Sequence, residues 1–155
     1  VVRDHYSAQY FLRLPLDGNS LEEIITNYQK EKKMEDPPKL DDEEVDEVTE
    51  KDMILRDELP PILLIQLGRD VGIGRKDMTR IPVSPTLNLN HKSYKLYGVV
   101  RHHGRNLQSG HYTAHIRNQN KWFLANDNNR IKEISLQDLV DDRDAYILFY
   151  ERQDS

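Results

Sequence analysis

The sequence predicts an α+β domain made mainly of antiparallel sheet, with a few short helices. Three observations lead there. Residues 94–150 hold short runs of branched and aromatic residues separated by Asn- and Gly-containing turns, the pattern of paired strands. Residues 62–67, Ile-Leu-Leu-Ile-Gln-Leu, form an apolar run of strand length. Residues 20–33 carry apolar side chains at helical spacing instead.

Each element follows from local chemistry. Residues 9–16 alternate well enough for a strand, with Phe11 and Leu14, or Leu12 and Leu16, facing a core. Pro15 has no N–H to give a ladder, so it belongs at the edge or end of that strand. Asp17-Gly18-Asn19 is a turn. Ser20 with Glu23 forms a capping box, and Leu21, Ile24, Ile25 and Tyr28 make an apolar stripe on a helix reaching about Lys33. Pro37-Pro38 cannot continue it. Residues 62–67 read as a buried central strand, and Pro82 and Pro85 punctuate an extended segment ending at Leu87 and Leu89. Strands follow at 94–100, 111–116 and 121–125, with a hairpin turn at Asn118-Gln119-Asn120. Asn126-Asp127-Asn128-Asn129 is a turn, residues 130–134 a short strand, and Ser135 caps one helical turn with Leu136, Leu139 and Val140. Residues 145–150 close the sheet.

Composition sets limits. The 155 residues suit one domain, and a mean hydropathy of -0.80 implies that part of the chain is solvated. There is no cysteine, which excludes disulfides, thiolate zinc sites and a cysteine nucleophile carried by this chain. The net charge of -5 argues against nucleic-acid binding. Residues 35–52 hold ten acidic residues against Lys39 and Lys51, and read as an acidic loop or two frayed strands. No apolar run approaches the ~18 residues of a membrane span, and no signal peptide opens the chain. The expectation is an intracellular protein of cytoplasm or nucleus, and a processed or excerpted piece, since it begins with Val1. Gly72-Ile73-Gly74 looks like a phosphate-loop fragment but lacks the third Gly and a following helix.

Four of the six histidines fall in one span: His102, His103, His111 and His115. Three readings stand side by side. A metal site is disfavoured, because His111 and His115 on a strand would lie ~13 Å apart. Ordinary strand and loop histidines are the second reading. The third is a general base: His111 begins a strand just after Gly110, and a hairpin would return Asn126-Asp127 beside it to orient the imidazole.

Several stretches together resemble one family. They are Tyr94-Lys95-Leu96-Tyr97-Gly98-Val99-Val100, His102-His103-Gly104, Gly110-His111-Tyr112-Thr113-Ala114, Lys121-Trp122, Asn126-Asp127 and Ala145-Tyr146-Ile147-Leu148-Phe149-Tyr150. In order and spacing they resemble the C-terminal catalytic segment of the ubiquitin-specific proteases, the deubiquitinating cysteine peptidases. Upstream, residues 59–69 are similar to that family's Leu-Pro-x-x-Leu-x-x-x-Leu-x-Arg strand, and residues 10–33 to the start of its fingers. The resemblance implies a papain-like half-domain: residues 1–58 fingers-like with the acidic loop 35–52, residues 59–155 the palm with its His box. It implies His111 as general base, Asn126 as its orienting residue and Asp127 as the adjacent acid. It places His102, Gly104, Gly110 and Tyr112 at the cleft for the ubiquitin tail. No metal or other cofactor is implied, and the partners would be ubiquitin or a ubiquitinated protein.

The departures matter equally. Nothing in residues 1–20 resembles the family's Cys box, so the whole thumb half is absent from this sequence. The Cys-x-x-Cys pairs common in the fingers are missing, and Asp70 stands where an aromatic residue usually follows the Arg. Three functions compete: the base-carrying segment of a deubiquitinase completed by a Cys-bearing segment elsewhere, a non-catalytic ubiquitin-binding or scaffold module, and a domain whose acidic loop docks a basic partner. Under the first two, apolar area should be exposed near His111 and the closing strand, unless residues 1–33 cover it.

Overall fold

The computed structural model describes residues 11–30, 32–33, 49–50, 59–139, 141–142 and 144–154. β1 (Phe11–Pro15) precedes the helix α1 (Leu21–Tyr28) and a short pair, β2 (Lys32–Lys33) with β3 (Thr49–Glu50). β4 (Ile62–Gly68), β5 (Ile81–Pro82) and β6 (Thr86–Leu89) lead into the long β7 (Lys92–His103). β8 (His111–Asn118), β9 (Lys121–Ala125), β10 (Lys132–Ile134), a 3-10 turn (Leu136–Leu139), β11 (Asp141–Asp142) and β12 (Ala145–Arg152) complete the order.

Among the described residues, eight strands form one sheet in the order β1-β4-β12-β7-β8-β9-β10, with β6 also on β7. Every pairing in it is antiparallel except β1 with β4. The closing strand is therefore spatially central, between β4 and β7. Its register against β7 shifts twice, between Ala145 and Ile147 and between Phe149 and Tyr150. Such bulges break strict alternation, which is how Ala145 and Leu148, three apart, are both buried.

One face of this sheet is the core. Leu63, Ile65 and Leu67 of β4 and Leu96 and Val99 of β7 meet Leu14, Leu21, Ile24 and Ile25 from β1 and α1. Burying each such side chain contributes ~1.5–3 kcal/mol. Polar groups taken inside find partners. The Tyr150 hydroxyl donates to the Ser84 carbonyl (2.6 Å), and burial pushes that phenol well above its ordinary range. Arg69, fully buried, donates to the carbonyls of Ala145 (2.6 Å), Asp77 (2.9 Å) and Thr79 (2.8 Å). It thereby ties the loop after β4 to the start of β12.

Several sequence expectations change in detail. Phe11 and Leu14 do not share a face: Leu14 is buried and Phe11 exposed, as a strand's two-residue period requires for residues three apart. Leu12 and Leu16 pack at the margin of the core. The Ser20 hydroxyl caps α1 by accepting from Glu23 N–H (3.2 Å), and Glu23 reaches back to Asn19 N–H (2.9 Å). The helix stops at Tyr28 and not near Lys33, because Gln29 to Lys33 offer no apolar group to extend the stripe. β4 is buried on one face only. Most of the acidic segment 35–52, and Val140, lie outside the described residues. Helix α1 covers part of the core face, while Tyr112 and Ile116 of β8 are exposed, so apolar area does remain near His111. No described helix is long and apolar enough to cross a membrane.

Two predictions follow from the packing. Ile65 is fully buried, and Ile65→Ala should cost about 2–5 kcal/mol, read from the urea midpoint. His115 is 3% exposed, and burial, then the positive charge of Arg101 and His103, lowers its imidazole from 6.5 to about 4. On acidification the unfolded chain takes up this proton first. Stability from the neutral ring is therefore complete above about pH 6.5, declines as pH falls toward about 4, and levels off below. The window is worth roughly 3 kcal/mol. Urea titrations between pH 7 and 4 should show it, and His115→Gln should flatten the acid limb.

Candidate active site

The site is assembled by two antiparallel pairings. β7 against β8 sets His103 opposite His111, so residues 104–110 form the loop joining them. β9 then returns along β8 as far as Ala125 opposite Ala114, and the next residue, Asn126, leaves the sheet beside the first residues of β8. A turn closed by Asn129 N–H to the Asn126 carbonyl (3.0 Å) follows, with Asp127 at φ +45°. Asp tolerates that left-handed conformation better than most residues.

His111 sits between the two turn residues. Its Nε2 is hydrogen bonded to the Asn126 side-chain oxygen, and its Nδ1 lies 3.4 Å from Asp127 Oδ2. An amide oxygen only accepts, so Nε2 carries the hydrogen and donates. In the neutral ring the lone pair is then on Nδ1. The imidazole is about half exposed and Asp127 more so, so the ring edge that carries Nδ1, with the Asp127 carboxylate beside it, lies at the surface. A fixed tautomer with an accessible basic nitrogen is the arrangement a general base needs.

The loop beside it is built on buried groups. His102 is fully buried and donates from Nε2 to the Ser109 carbonyl (3.0 Å), with the edges of Tyr112 and Tyr146 against its ring. His102 thus holds the loop from beneath. Gly104, Gly110 and Tyr112 are exposed. Gly110 has φ +128°, and a Cβ there would collide with the His103 carbonyl and the His102 ring. The loop is clamped from its other side by residues 70–77: Leu107 N–H donates to the Gly74 carbonyl (2.8 Å) and Lys76 N–H to the Arg105 carbonyl (3.2 Å). Gly72-Ile73-Gly74 is thus part of this clamp.

The structure brings His111, Asn126 and Asp127 together, and His102, Gly104, Gly110 and Tyr112 around the neighbouring loop. It also adds residues that sequence reasoning did not single out. Lys76 is wholly buried, donates to the His102 carbonyl, and lies 2.7 Å from Asp144 Oδ1. Burial pushes the Asp144 carboxyl up, but the hydrogen bond and charge of Lys76, with His103, outweigh it and hold the group below the usual carboxylate range. No local pattern links Lys76 to Asp144, because 68 residues separate them. Among the described residues, no three His, Cys, Asp or Glu side chains are grouped so as to hold a metal ion.

A mostly antiparallel sheet thus presents at its loop edge a histidine hydrogen bonded to an amide oxygen. The description of the ubiquitin carboxyl-terminal hydrolase family matches residues 19–150, and the chain belongs to that family. It is 34% identical over 99 residues to ubiquitin carboxyl-terminal hydrolase 3 of Saccharomyces cerevisiae, covering 57% of this chain and 11% of that protein. Against ubiquitin hydrolase B of Dictyostelium discoideum it is 35% identical over 104 residues, 60% of this chain and 23% of the other. A solved SAGA DUB module bound to ubiquitin aldehyde superposes with a TM-score of 0.77 at 25% identity, covering 92% of this chain and 36% of that one. The fold is that of ubiquitin-specific-protease domains. The chain spans between about a tenth and a third of the length of these relatives.

Gly110→Ala should strain the loop twice, through its φ and through the collision. The expected outcome is faster amide exchange at Leu107 and Ser109, with the exchange of β4 amides unchanged.

Proposed function

We propose that this chain is the base-carrying portion of a deubiquitinating thiol peptidase that cleaves after the C-terminal Gly of ubiquitin, with its nucleophile outside this sequence. The observation that carries the reading is the His111 contact to Asn126, which sets the ring hydrogen on Nε2 and the basic lone pair on Nδ1. A cysteine thiol placed at Nδ1 would pass its proton there, and the thiolate would attack the carbonyl carbon. The imidazolium would then protonate the departing amine as the tetrahedral intermediate collapses to a thioester. Water would hydrolyse that thioester with His111 again acting as base. Asp127 lies where its carboxylate can stabilise the imidazolium.

The same reading gives the rest of the chain its place. Residues 1–155 are one partial catalytic domain, with residues 59–155 as palm and residues 1–58 as the fingers-side portion. β1 and α1 join the palm sheet and its core. The loop 104–110 would flank the ubiquitin tail, with Tyr112 exposed beside it. Ubiquitin as ligand is supported by the ubiquitin aldehyde bound to the structural relative. A Cys-bearing segment would complete the cleft.

One observation favours a second reading, a non-catalytic ubiquitin-binding module: the sequence contains no cysteine at all. The two separate in solution. This chain by itself should not turn over a fluorogenic ubiquitin amide. Activity that disappears with His111→Ala would show that a nucleophile does reside here. If a supplied Cys-bearing half restores turnover, and His111→Ala in this chain removes it, the first reading stands. Saturable ubiquitin binding without restored turnover would favour the second.

A further inference from the structure

We infer that His103 is a positioning residue for His111, a flat wall that keeps the base imidazole in one orientation and is itself held by Thr113 and the Asp144–Lys76 pair. The inference rests on His111 being the functional imidazole and adds what restrains it.

Asn126 and Asp127 meet the imidazole at its two nitrogens, along the ring edge, and neither covers a ring face. The ring directly across the hairpin supplies that restraint. His103 and His111 are register partners on β7 and β8, and their rings are nearly parallel, 27° apart with centroids 6.3 Å apart. Side chains facing each other in this way on adjacent strands restrict one another's rotamers. An arrangement of this offset, near-parallel kind is within the range in which rings attract.

A wall that is itself exposed would not restrain its neighbour unless it were anchored. His103 is 41% exposed, and both of its nitrogens are engaged. Nε2 is 2.8 Å from the Thr113 hydroxyl oxygen and Nδ1 is 3.4 Å from Asp144 Oδ2. The other oxygen of Asp144 is 2.7 Å from Lys76 Nζ, whose side chain is fully buried. A buried ammonium is costly without its counter-charge, so the carboxylate is kept in place by a group that cannot leave it cheaply. The anchoring chain thus runs from the interior outward: Lys76, Asp144, His103, His111. It also crosses three elements, the 70–77 loop, the start of β12 and the β7–β8 hairpin.

The test reads the side-chain rotamer of His111 directly. In the 13C,15N-labelled chain, three-bond couplings from the backbone N and carbonyl to Cγ report averaging about χ1. In the native chain, His111 should show the couplings of one dominant rotamer. His103→Ala should collapse them toward averaged values while those of His115, buried further along β8, do not move. His103→Phe, which restores a flat ring without its nitrogens, should recover most of the contrast. Single-rotamer couplings for His111 in a folded His103→Ala chain would overturn the proposal. Should that variant fail to fold, Thr113→Val removes one anchor with little change of shape, and unchanged His111 couplings there would overturn it equally. Asn126→Ala separates the two readings. Averaging in Asn126→Ala with none in His103→Ala keeps His111 as an oriented base and rejects His103 as its wall. Averaging already present in the native chain rejects the oriented base itself.

Discussion

Everything at the candidate site depends on the register between β7 and β8. Side chains alternate across a strand, so a slip of β8 by one residue would turn His111 to the face opposite His103. It would also lengthen or shorten the loop between them. The register is held because one face of these strands is core. Val99 is buried opposite His115, and Trp122 of β9 is buried further along. Slipping β8 would part Thr113 from His103 and His115 from Arg101, contacts that this register alone allows. The register that keeps these contacts is the one that sets the polar constellation at the sheet's end.

Buried cations give the surrounding loops their shape. Arg69 gathers three carbonyls, two from the loop after β4 and one from the start of β12. Lys76 joins the carbonyl of His102 to the carboxylate of Asp144. Each lies on the segment after β4, so the loop 70–77 is pinned from inside and in turn clamps the loop 104–110. Removing one partner from such an arrangement strands a charge in low dielectric, at ~3–5 kcal/mol. Loops at this end can consequently be well defined without forming strands. That matters for a site built from loop-edge residues, because an orienting hydrogen bond is useful only where both ends are held.

The legible part of this architecture followed local rules. The capping box at Ser20 and Glu23, the apolar stripe of α1, the hairpin of β8 and β9 and the alternation of β7 are all short-range signals, and each element formed where its signal lay. The meeting of His111 with Asn126 was also within reach, because a hairpin brings residues 15 apart side by side by simple return of the chain. Other features were not legible. The early end of the helix, the one-sided burial of β4 and the bulges of β12 depend on which neighbour each segment packs against. The buried state of His102 was likewise hidden, since a histidine beside a glycine loop reads equally well as surface.

What the sequence by itself determined was the alternation that makes a sheet, the helix that covers part of it, and a His–Asn pair at hairpin distance. The absence of cysteine was equally plain, and it places any thiol nucleophile elsewhere. Tertiary structure decided the rest. Only folding brings Lys76 to Asp144, Asp144 to His103, and His103 across from His111. These contacts join segments far apart in the chain, and no periodicity of 2 or 3.6 residues encodes them. They follow from strand order and burial, which are properties of the whole sheet.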